Sequence, residues 1–248
     1  MKLPIQAALV LAGLLASAAA CAQAKAPEPD YTLSYNVGAT TDYRYRGISQ
    51  SRLLPALQGG VDFAHKSGVY LGAWASTIKW IKDAGGDGNV ELDLYGGYKG
   101  ELSKELSYDV GVLAYQYPSN KLATSADTTE LYGALTYGPV TAKYSHSVSN
   151  LFGVADSKNS GYLDLSASFD VAKGLSLAPH VGHQKIAGTG NGVASYTDYS
   201  LAANYDYGNG VVVSAAVQGT NADKTLYVTP AGKFTGKSGL VLGVKYSF

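Results

Sequence analysis

The chain has 248 residues with equal numbers of basic and acidic side chains, and only 15% of its residues are charged. This balance argues against a nucleic-acid-binding protein, which would need a basic patch. A single cysteine rules out a disulfide-stapled secreted domain. The 30 glycines and 20 tyrosines instead suit a β-rich wall with tyrosines at a membrane interface.

The N-terminus has the pattern of an export signal. Lys2 supplies a positive charge, an apolar run covers residues 5–20, and Ala22-Gln23-Ala24 is a small-x-small cleavage site. We therefore predict that residues 1–24 are a signal peptide that is removed. Ala20-Cys21-Ala22 offers a second cleavage register. Lipidation of Cys21 is the alternative, although the residues before it lack the leucine that such a signal would carry.

After the signal, residues 25–30 form a short periplasmic leader and residues 31–248 a single transmembrane domain. The first predicted strand covers residues 31–46. Apolar and aromatic side chains occupy most odd positions from Tyr31 to Tyr45, and small or polar side chains occupy the even ones. A period of two held over about sixteen residues predicts a strand longer than those of ordinary globular sheets.

Eleven further strands are predicted, and they are joined alternately by short turns and long loops. The short turns lie near residues 66, 102, 138, 172 and 208, about 35 residues apart, which is the repeat of one hairpin. Outer-membrane barrels show this asymmetry, with short periplasmic turns and long outer loops. The strands cover residues 56–64, 69–78, 90–99, 107–117, 128–137, 140–148, 161–169, 175–184, 196–205, 211–218 and 240–248.

The last of these strands alternates in the same way and ends on Phe248. A soluble edge strand this apolar would invite aggregation. In a closed barrel it pairs with the first strand along residues 31–46, and no edge remains. We therefore predict an all-β fold, a 12-stranded antiparallel transmembrane β-barrel of the outer-membrane type. A soluble β-sandwich would reproduce the alternation, but not the even strand count together with the alternating loop lengths.

The N-terminal stretch from Val37 to Trp74 also resembles a known family. The residues that carry the resemblance are Asp42-Tyr43, Arg46-Gly47, Ser49-Gln50-Ser51, Pro55-Ala56, Gln58-Gly59-Gly60, Ser67-Gly68 and Gly72. They resemble the TorF family of predicted porins from Gram-negative bacteria, a family otherwise labelled as being of unknown function. The resemblance implies an outer-membrane barrel, and it implies more about fold and location than about a solute. It also implies that Tyr246 and Phe248 form the signal read by the barrel-assembly machinery.

The alternation predicts which charged side chains point into the barrel, because a charge on the lipid face costs about 2–4 kcal/mol near the midplane. Eight acids against four bases on this face favour cations in a lined channel. Twelve strands lie between small filled barrels and wide porins, so a narrow channel and an interior plugged by paired charges both stay open. The candidate pore-lining residues are Asp42, Arg44, Arg46, Asp62, Glu91, Asp93, Asp109, Glu130, Lys143, Asp164, Asp198 and Lys245.

Arg44 and Arg46 form the sharpest local hypothesis. They lie two residues apart on one face near the outer mouth, so they could hold a carboxylate or phosphate between them. The alternative is a structural pair with Asp42 or Asp62.

A catalytic reading of the sequence rests on His146, which is flanked by Ser145 and Ser147. Neighbours in a strand point to opposite faces, however, which breaks such a dyad. We predict no enzymatic activity, and a lipid hydrolase is a remote alternative.

Asp83, Asp87 and Asn89 share a glycine-rich loop that could bind calcium weakly, but their spacing is not that of an EF-hand. We predict neither a metal site nor a cofactor.

These observations predict a porin-like channel of the bacterial outer membrane that passes small polar or charged solutes by diffusion. The alternative is a closed barrel that acts as a receptor, adhesin or scaffold through its outer loops. Expected partners are outer-membrane lipid and lipopolysaccharide, the barrel-assembly machinery and small solutes. A homo-oligomer is possible, and no nucleic acid is expected.

Overall fold

Twelve antiparallel segments form a closed barrel in the computed structural model, which describes residues 29–248. Residues 31–248 make up one compact unit. The predicted signal peptide, Cys21 and residues 25–28 of the predicted leader lie outside the described residues. Within the part of the chain that is described, no helix is long and apolar enough to cross a membrane.

The strands are distributed evenly along the chain. Most belong to the barrel wall, whereas β2 and β3 form a separate two-stranded hairpin. β10 and β11 are two pieces of one wall segment, interrupted at Ser168. In chain order the elements are β1 (Tyr31–Thr40), β2 (Arg44–Tyr45), β3 (Ile48–Ser49), β4 (Ala56–His65), β5 (Val69–Thr77), α1 (Trp80–Asp83), β6 (Val90–Glu101), β7 (Leu106–Gln116), β8 (Thr128–Tyr137), β9 (Val140–Ser147), β10 (Gly161–Ala167), β11 (Phe169–Ala172), β12 (Leu175–Lys185), a 3₁₀ helix (Asn191–Ala194), β13 (Tyr196–Gly208), β14 (Val211–Thr220) and β15 (Gly239–Ser247).

The first and last strands close the ring, as predicted. β15 pairs antiparallel with β1 from Asn36 opposite Ser247 to Thr40 opposite Gly243. Phe248 extends this seam, because its backbone N–H donates to Tyr35 O at 3.0 Å and its carbonyl accepts from Tyr35 N at 2.8 Å. The predicted 12-stranded antiparallel barrel is confirmed.

The two faces of the wall differ sharply in polarity. Outward positions carry exposed apolar side chains on every side of the barrel, including Leu33, Leu131, Leu201 and Leu240, each at least half exposed. The neighbouring positions point inward and are largely polar or small. A soluble monomer rarely exposes so continuous an apolar surface, whereas a wall that faces lipid needs one.

The first strand is shorter than predicted, because the chain leaves the wall at Thr41 rather than continuing to Arg46. A last wall contact joins Thr41 N to Leu242 O at 2.9 Å. Arg46 and Gly47 then adopt left-handed φ values of 46° and 76°, which an extended strand cannot contain. The predicted pairing of the last strand with residues 31–46 was therefore wrong beyond Thr40.

Two smaller corrections concern the other elements. The predicted strand at residues 161–169 continues to Ala172 after the break at Ser168. The loop predicted at residues 79–89 contains the short helix α1. Neither change alters the alternation of short turns at one end of the barrel with long loops at the other.

Candidate functional site

Residues 41–55, which we call the strap, fold into the barrel at the long-loop end. The hairpin β2–β3 pairs Arg44 with Ser49 and Tyr45 with Ile48, so Arg46 and Gly47 form its tip. A Cβ atom at Gly47 would collide with Thr220 and lie 2.7 Å from the Cβ of Asp198. Glycine is needed here both for the backbone angle and for close approach to the wall.

The base of the strap is organised by one buried carboxylate. Asp42 accepts hydrogen bonds from Ser49 Oγ at 2.5 Å and Ser51 Oγ at 3.2 Å, and Arg44 Nε donates to it at 2.8 Å. Tyr43 N donates to Ser51 Oγ at 2.9 Å. These local bonds satisfy polar groups that have left the sheet, which explains how the chain can abandon the wall at this point.

The tip of the strap is bonded to distant parts of the wall. Arg46 Nη1 donates to Gln184 Oε1 at 2.5 Å, and Arg46 Nη2 donates to Glu130 Oε2 at 2.7 Å. The Arg46 and Glu130 side chains are only 5% and 3% exposed. We call Arg46, Glu130 and Gln184 the latch, since they join the strap to β8 and β12.

Aromatic rings surround this buried cation. The guanidinium of Arg46 lies 4.1 Å from the ring centroid of Tyr162 and 4.8 Å from that of Tyr45. Burial by itself would lower the pKa of Arg46, but Tyr45 and Glu130 raise that pKa above its usual value. The guanidinium therefore stays charged, and its hydrogen bonds are charge-assisted.

Two tyrosines anchor the middle of the strap to a third part of the wall. Tyr43 Oη donates to Glu91 Oε1 at 2.7 Å, and its ring packs edge-on against Trp74 with centroids 5.4 Å apart. The hydroxyl of Tyr45 bonds to that of Tyr115. The strap thus reaches β5, β6, β7, β8 and β12, which together span much of the barrel circumference.

The strap separates two cavities. The outer one, of about 380 Å³, is lined by Tyr45, Arg46, Trp80 and Tyr227 among others. The inner one, of about 480 Å³, is lined by Asp42, Arg44, Trp74 and Lys245 among others. Among the described residues, none lines both cavities. The strap therefore lies across the lumen between these two cavities.

Tyrosine hydroxyls hold most of the lumen carboxylates. Asp62 accepts from Tyr95 at 2.5 Å, Asp109 from Tyr70 at 2.5 Å, and Asp198 from Tyr162 at 3.0 Å. Sequence reasoning placed these acids on the inner face but missed their partners. A detectable signal was the presence of tyrosines on the same face as the acids, as in the run Glu91, Asp93, Tyr95.

Other predicted pore-lining residues occupy the same inner surface. Lys143 Nζ lies 4.0 Å above the ring of Tyr132. Asp164 Oδ2 lies 2.6 Å from His180 Nε2. Within residues 29–248, Glu91 Oε2 and Asp93 Oδ1 are buried oxygens without a hydrogen-bond partner.

Arg44 and Arg46 do not converge on one point. Arg44 bonds to Asp42 and donates to Lys237 O at 2.7 Å, whereas Arg46 reaches across the lumen to the latch. Each arginine already has a protein carboxylate, so the pair does not form a joint anion clamp in this structure.

The candidate hydrolase residues lie on different faces of β9. His146 packs on the outer face against Tyr144, with ring centroids 6.3 Å apart. Ser145 and Ser147 are buried on the inner face. The fold thus keeps these serines apart from the imidazole.

The acids of the glycine-rich loop are engaged by cations of the protein. Asp83 pairs with Arg52, and Asp87 accepts from Lys121 Nζ at 3.0 Å. The hydrogen bond from Lys121 lowers the pKa of the exposed Asp87. Across residues 29–248, no three His, Cys, Asp or Glu side chains are grouped to hold a metal ion.

Comparisons with known proteins agree with this architecture. The KdgM porin superposes with a TM-score of 0.57 at 8% identity, covering 87% of this chain and 99% of its own. The NanC porin gives a TM-score of 0.56 at 11% identity, covering 88% of this chain and 99% of its own. At such low identity the likeness concerns the fold. The comparison with curated proteins found no match.

A family described as "Bacterial protein of unknown function (Gcw_chp)" matches residues 23–248. This match covers nearly all of the chain, including every strand of the barrel. The chain therefore belongs to the Gcw_chp family of bacterial proteins.

Proposed function

We propose that the protein is a porin-like channel of the bacterial outer membrane, through which small polar or charged solutes diffuse. The observation that carries this proposal is a closed barrel with an apolar outer belt around a polar, charged lumen. The fold shared with KdgM and NanC supports it, and so does the sequence resemblance to the TorF family. As in other outer-membrane barrels, the short turns would face the periplasm and the long loops the cell exterior. The strap would then lie in the extracellular half of the barrel.

The lumen favours cations over anions. Asp62, Asp109 and Asp198 accept hydrogen bonds from tyrosine hydroxyls, which fix the positions of these carboxylates along the lumen. Charged groups along a pore select ions by the sign of their charge and by replacing part of their hydration shell. A KdgM porin has been solved in complex with disordered oligogalacturonate. The excess of carboxylates in this lumen argues against extending an anionic solute of that kind to the present chain.

The remaining partners follow from a membrane location. Outer-membrane lipid and lipopolysaccharide would surround the apolar belt, and the barrel-assembly machinery would read Tyr246 and Phe248. A homo-oligomer is compatible with the proposal. The channel requires no enzymatic activity, cofactor or metal.

Reconstitution into planar lipid bilayers tests the proposal. Purified full-length protein should give discrete conductance steps, small for a 12-stranded barrel because of the strap. A salt gradient should give a reversal potential of the sign expected for cation preference. Steps no larger than those of a protein-free bilayer would contradict constitutive diffusion, and the same silence in a variant whose residues 42–54 are replaced by a short turn would contradict channel function. An anion-selective reversal potential would contradict the solute class.

The strap supports a second candidate, a closed barrel that acts as a receptor, adhesin or scaffold through its outer loops. The buried contacts of Arg46 and Tyr43 hold the strap inside the lumen. This alternative predicts that liposomes containing the protein take up small cationic and neutral solutes no faster than empty liposomes do.

A further inference from the structure

We infer that the strap is the gate of the channel and that the latch holds it across the lumen, with Arg46 as the positioning residue. This inference rests on the proposed channel function. It concerns what limits passage through the pore, which the fold comparison does not address.

The barrel wall is complete without the strap. β1 and β4 pair along their whole length, from Tyr31 opposite His65 to Thr40 opposite Ala56. The strap is therefore an insertion at the top of an already closed hairpin. Displacement of residues 42–54 would break backbone hydrogen bonds to Lys79, Trp80 and Thr235. It would leave the backbone hydrogen bonds between wall strands intact, as a movable element requires.

The two ends of the strap join the wall side by side, whereas its tip contacts the opposite side of the barrel. Both ends join the wall at neighbouring strands, after Thr40 and before Ala56. The tip reaches Glu130 on β8 and Gln184 on β12, which lie across the ring from β1. Contacts at the tip therefore have the largest effect on whether the strap crosses the lumen.

The latch joins the tip of the strap to the wall through buried contacts. It consists of two charge-assisted hydrogen bonds, of which the one from Arg46 to Glu130 is also a buried ion pair. Removing the guanidinium leaves Glu130 buried without a cation, with only the hydroxyl of Tyr115 donating to it at 3.2 Å. The closed arrangement therefore loses the stabilisation of the ion pair and gains the cost of a buried charge. Displacement of the strap lets water reach Glu130, so loss of the latch favours the open arrangement.

Matched arginine substitutions test the gate. Arg46→Ala should raise solute flux into liposomes and mean bilayer conductance several-fold, and Arg46→Lys should give an intermediate value because it keeps the charge. Arg52→Ala is the control, since Arg52 lies on the same strap but is bonded to Asp83 at an exposed position. It should behave like wild type. Heat-modifiable migration checks that each barrel is folded.

A reversible cross-link tests the same movement from the other direction. Ser49 N donates to Thr235 O at 3.1 Å, so the two backbone segments are adjacent, and Ser49→Cys/Thr235→Cys is the pair chosen for the cross-link. Oxidation should reduce flux and a reducing agent should restore it. Unchanged flux on oxidation, with the bond verified by mass spectrometry, would overturn the gate.

The outcomes separate the gate from the channel. Equal conductance of wild type and Arg46→Ala would overturn the gate and leave channel function in place. A silent wild type with a conducting Arg46→Ala would support the gate and reject constitutive diffusion. Silence of both, and of a variant whose residues 42–54 are replaced by a short turn, would overturn both ideas. If Arg46→Ala does not fold, Glu130→Gln removes the same ion pair with little change in shape.

Discussion

Residues 31–40 and 41–46 have similar alternating sequences but opposite positions in the molecule. Tyr35, in β1, lies on the outer face of the wall with 43% of its surface exposed. Tyr43, in the strap, is 8% exposed and bonds to Glu91 inside the lumen. The first stretch pairs with β4 along its whole length and with β15 from Asn36 to Thr40. Beyond Thr41, the second stretch bonds to the wall through its side chains.

This difference shows that alternation of apolar and polar residues predicts a segment with two different faces. It does not show whether that segment belongs to the barrel wall. In the wall, one face meets an apolar environment and the other meets the lumen. In the strap, both faces are enclosed, so tyrosine hydroxyls and arginines must find partners. The comparison therefore predicts different responses to matched substitutions in the two segments.

A charge on the outer face of the wall should have the largest effect. Val37 is half exposed on β1 within the apolar belt, and Val37→Lys should destabilise the barrel by about 2–4 kcal/mol if it lies near the midplane. Asn36→Lys, one residue away on the luminal face, is the control and should cost much less. Denaturant unfolding of the barrels in lipid vesicles measures both, and equal losses would contradict the assigned faces.

Loss of one hydroxyl in the strap should have a smaller effect. Tyr43→Phe removes the bond to Glu91, a carboxylate only 1% exposed, so we expect a loss of about 1–3 kcal/mol. Tyr35→Phe, at the exposed wall position, should change the free energy of unfolding by less than about 0.5 kcal/mol. Similar values for the two variants would show that the strap is not packed in the lumen.

The sequence predicted the wall well because each wall strand repeats the same physical constraint. Alternation, short turns at regular intervals and an apolar terminal strand all required one closed sheet, and the strands of the wall follow this pattern closely. The strap was missed because its residues continue the alternation through Tyr43 and Tyr45. Only Gly47 marked a break, and one glycine does not indicate whether the chain turns outward or into the lumen.

The latch could not be predicted for a related reason. Arg46, Glu130 and Gln184 are far apart in the sequence, and their meeting depends on how deeply the strap enters the barrel. The tyrosine–carboxylate hydrogen bonds were easier to predict from the sequence, because inward-facing tyrosines lie on the same strands as the acids. The alternation within one strand predicts which charged side chains face the lumen. The residues that pair with them across the lumen are determined only by the closed barrel.

The end of the wall combines a small expected energetic effect with a direct test of an assembly role. The ring of Phe248 stacks on Tyr35 and Tyr246 with centroids 5.8 and 5.4 Å apart. Phe248→Ala should therefore cost only about 0.5–1.5 kcal/mol in barrels that have formed. If the aromatic end is read during assembly, the amount of heat-modifiable barrel in outer membranes should fall far more than this energy explains.

Phe248→Tyr keeps the ring and should restore the yield, which separates recognition of an aromatic side chain from stability. A normal yield of Phe248→Ala barrels would assign the residue to the wall alone. A low yield matched by a large loss of unfolding free energy would do the same. Only a low yield of normally stable barrels distinguishes a signal from a structural contact. The unfolding free energy is measured on barrels that have already assembled, whereas the yield reports how many chains assembled.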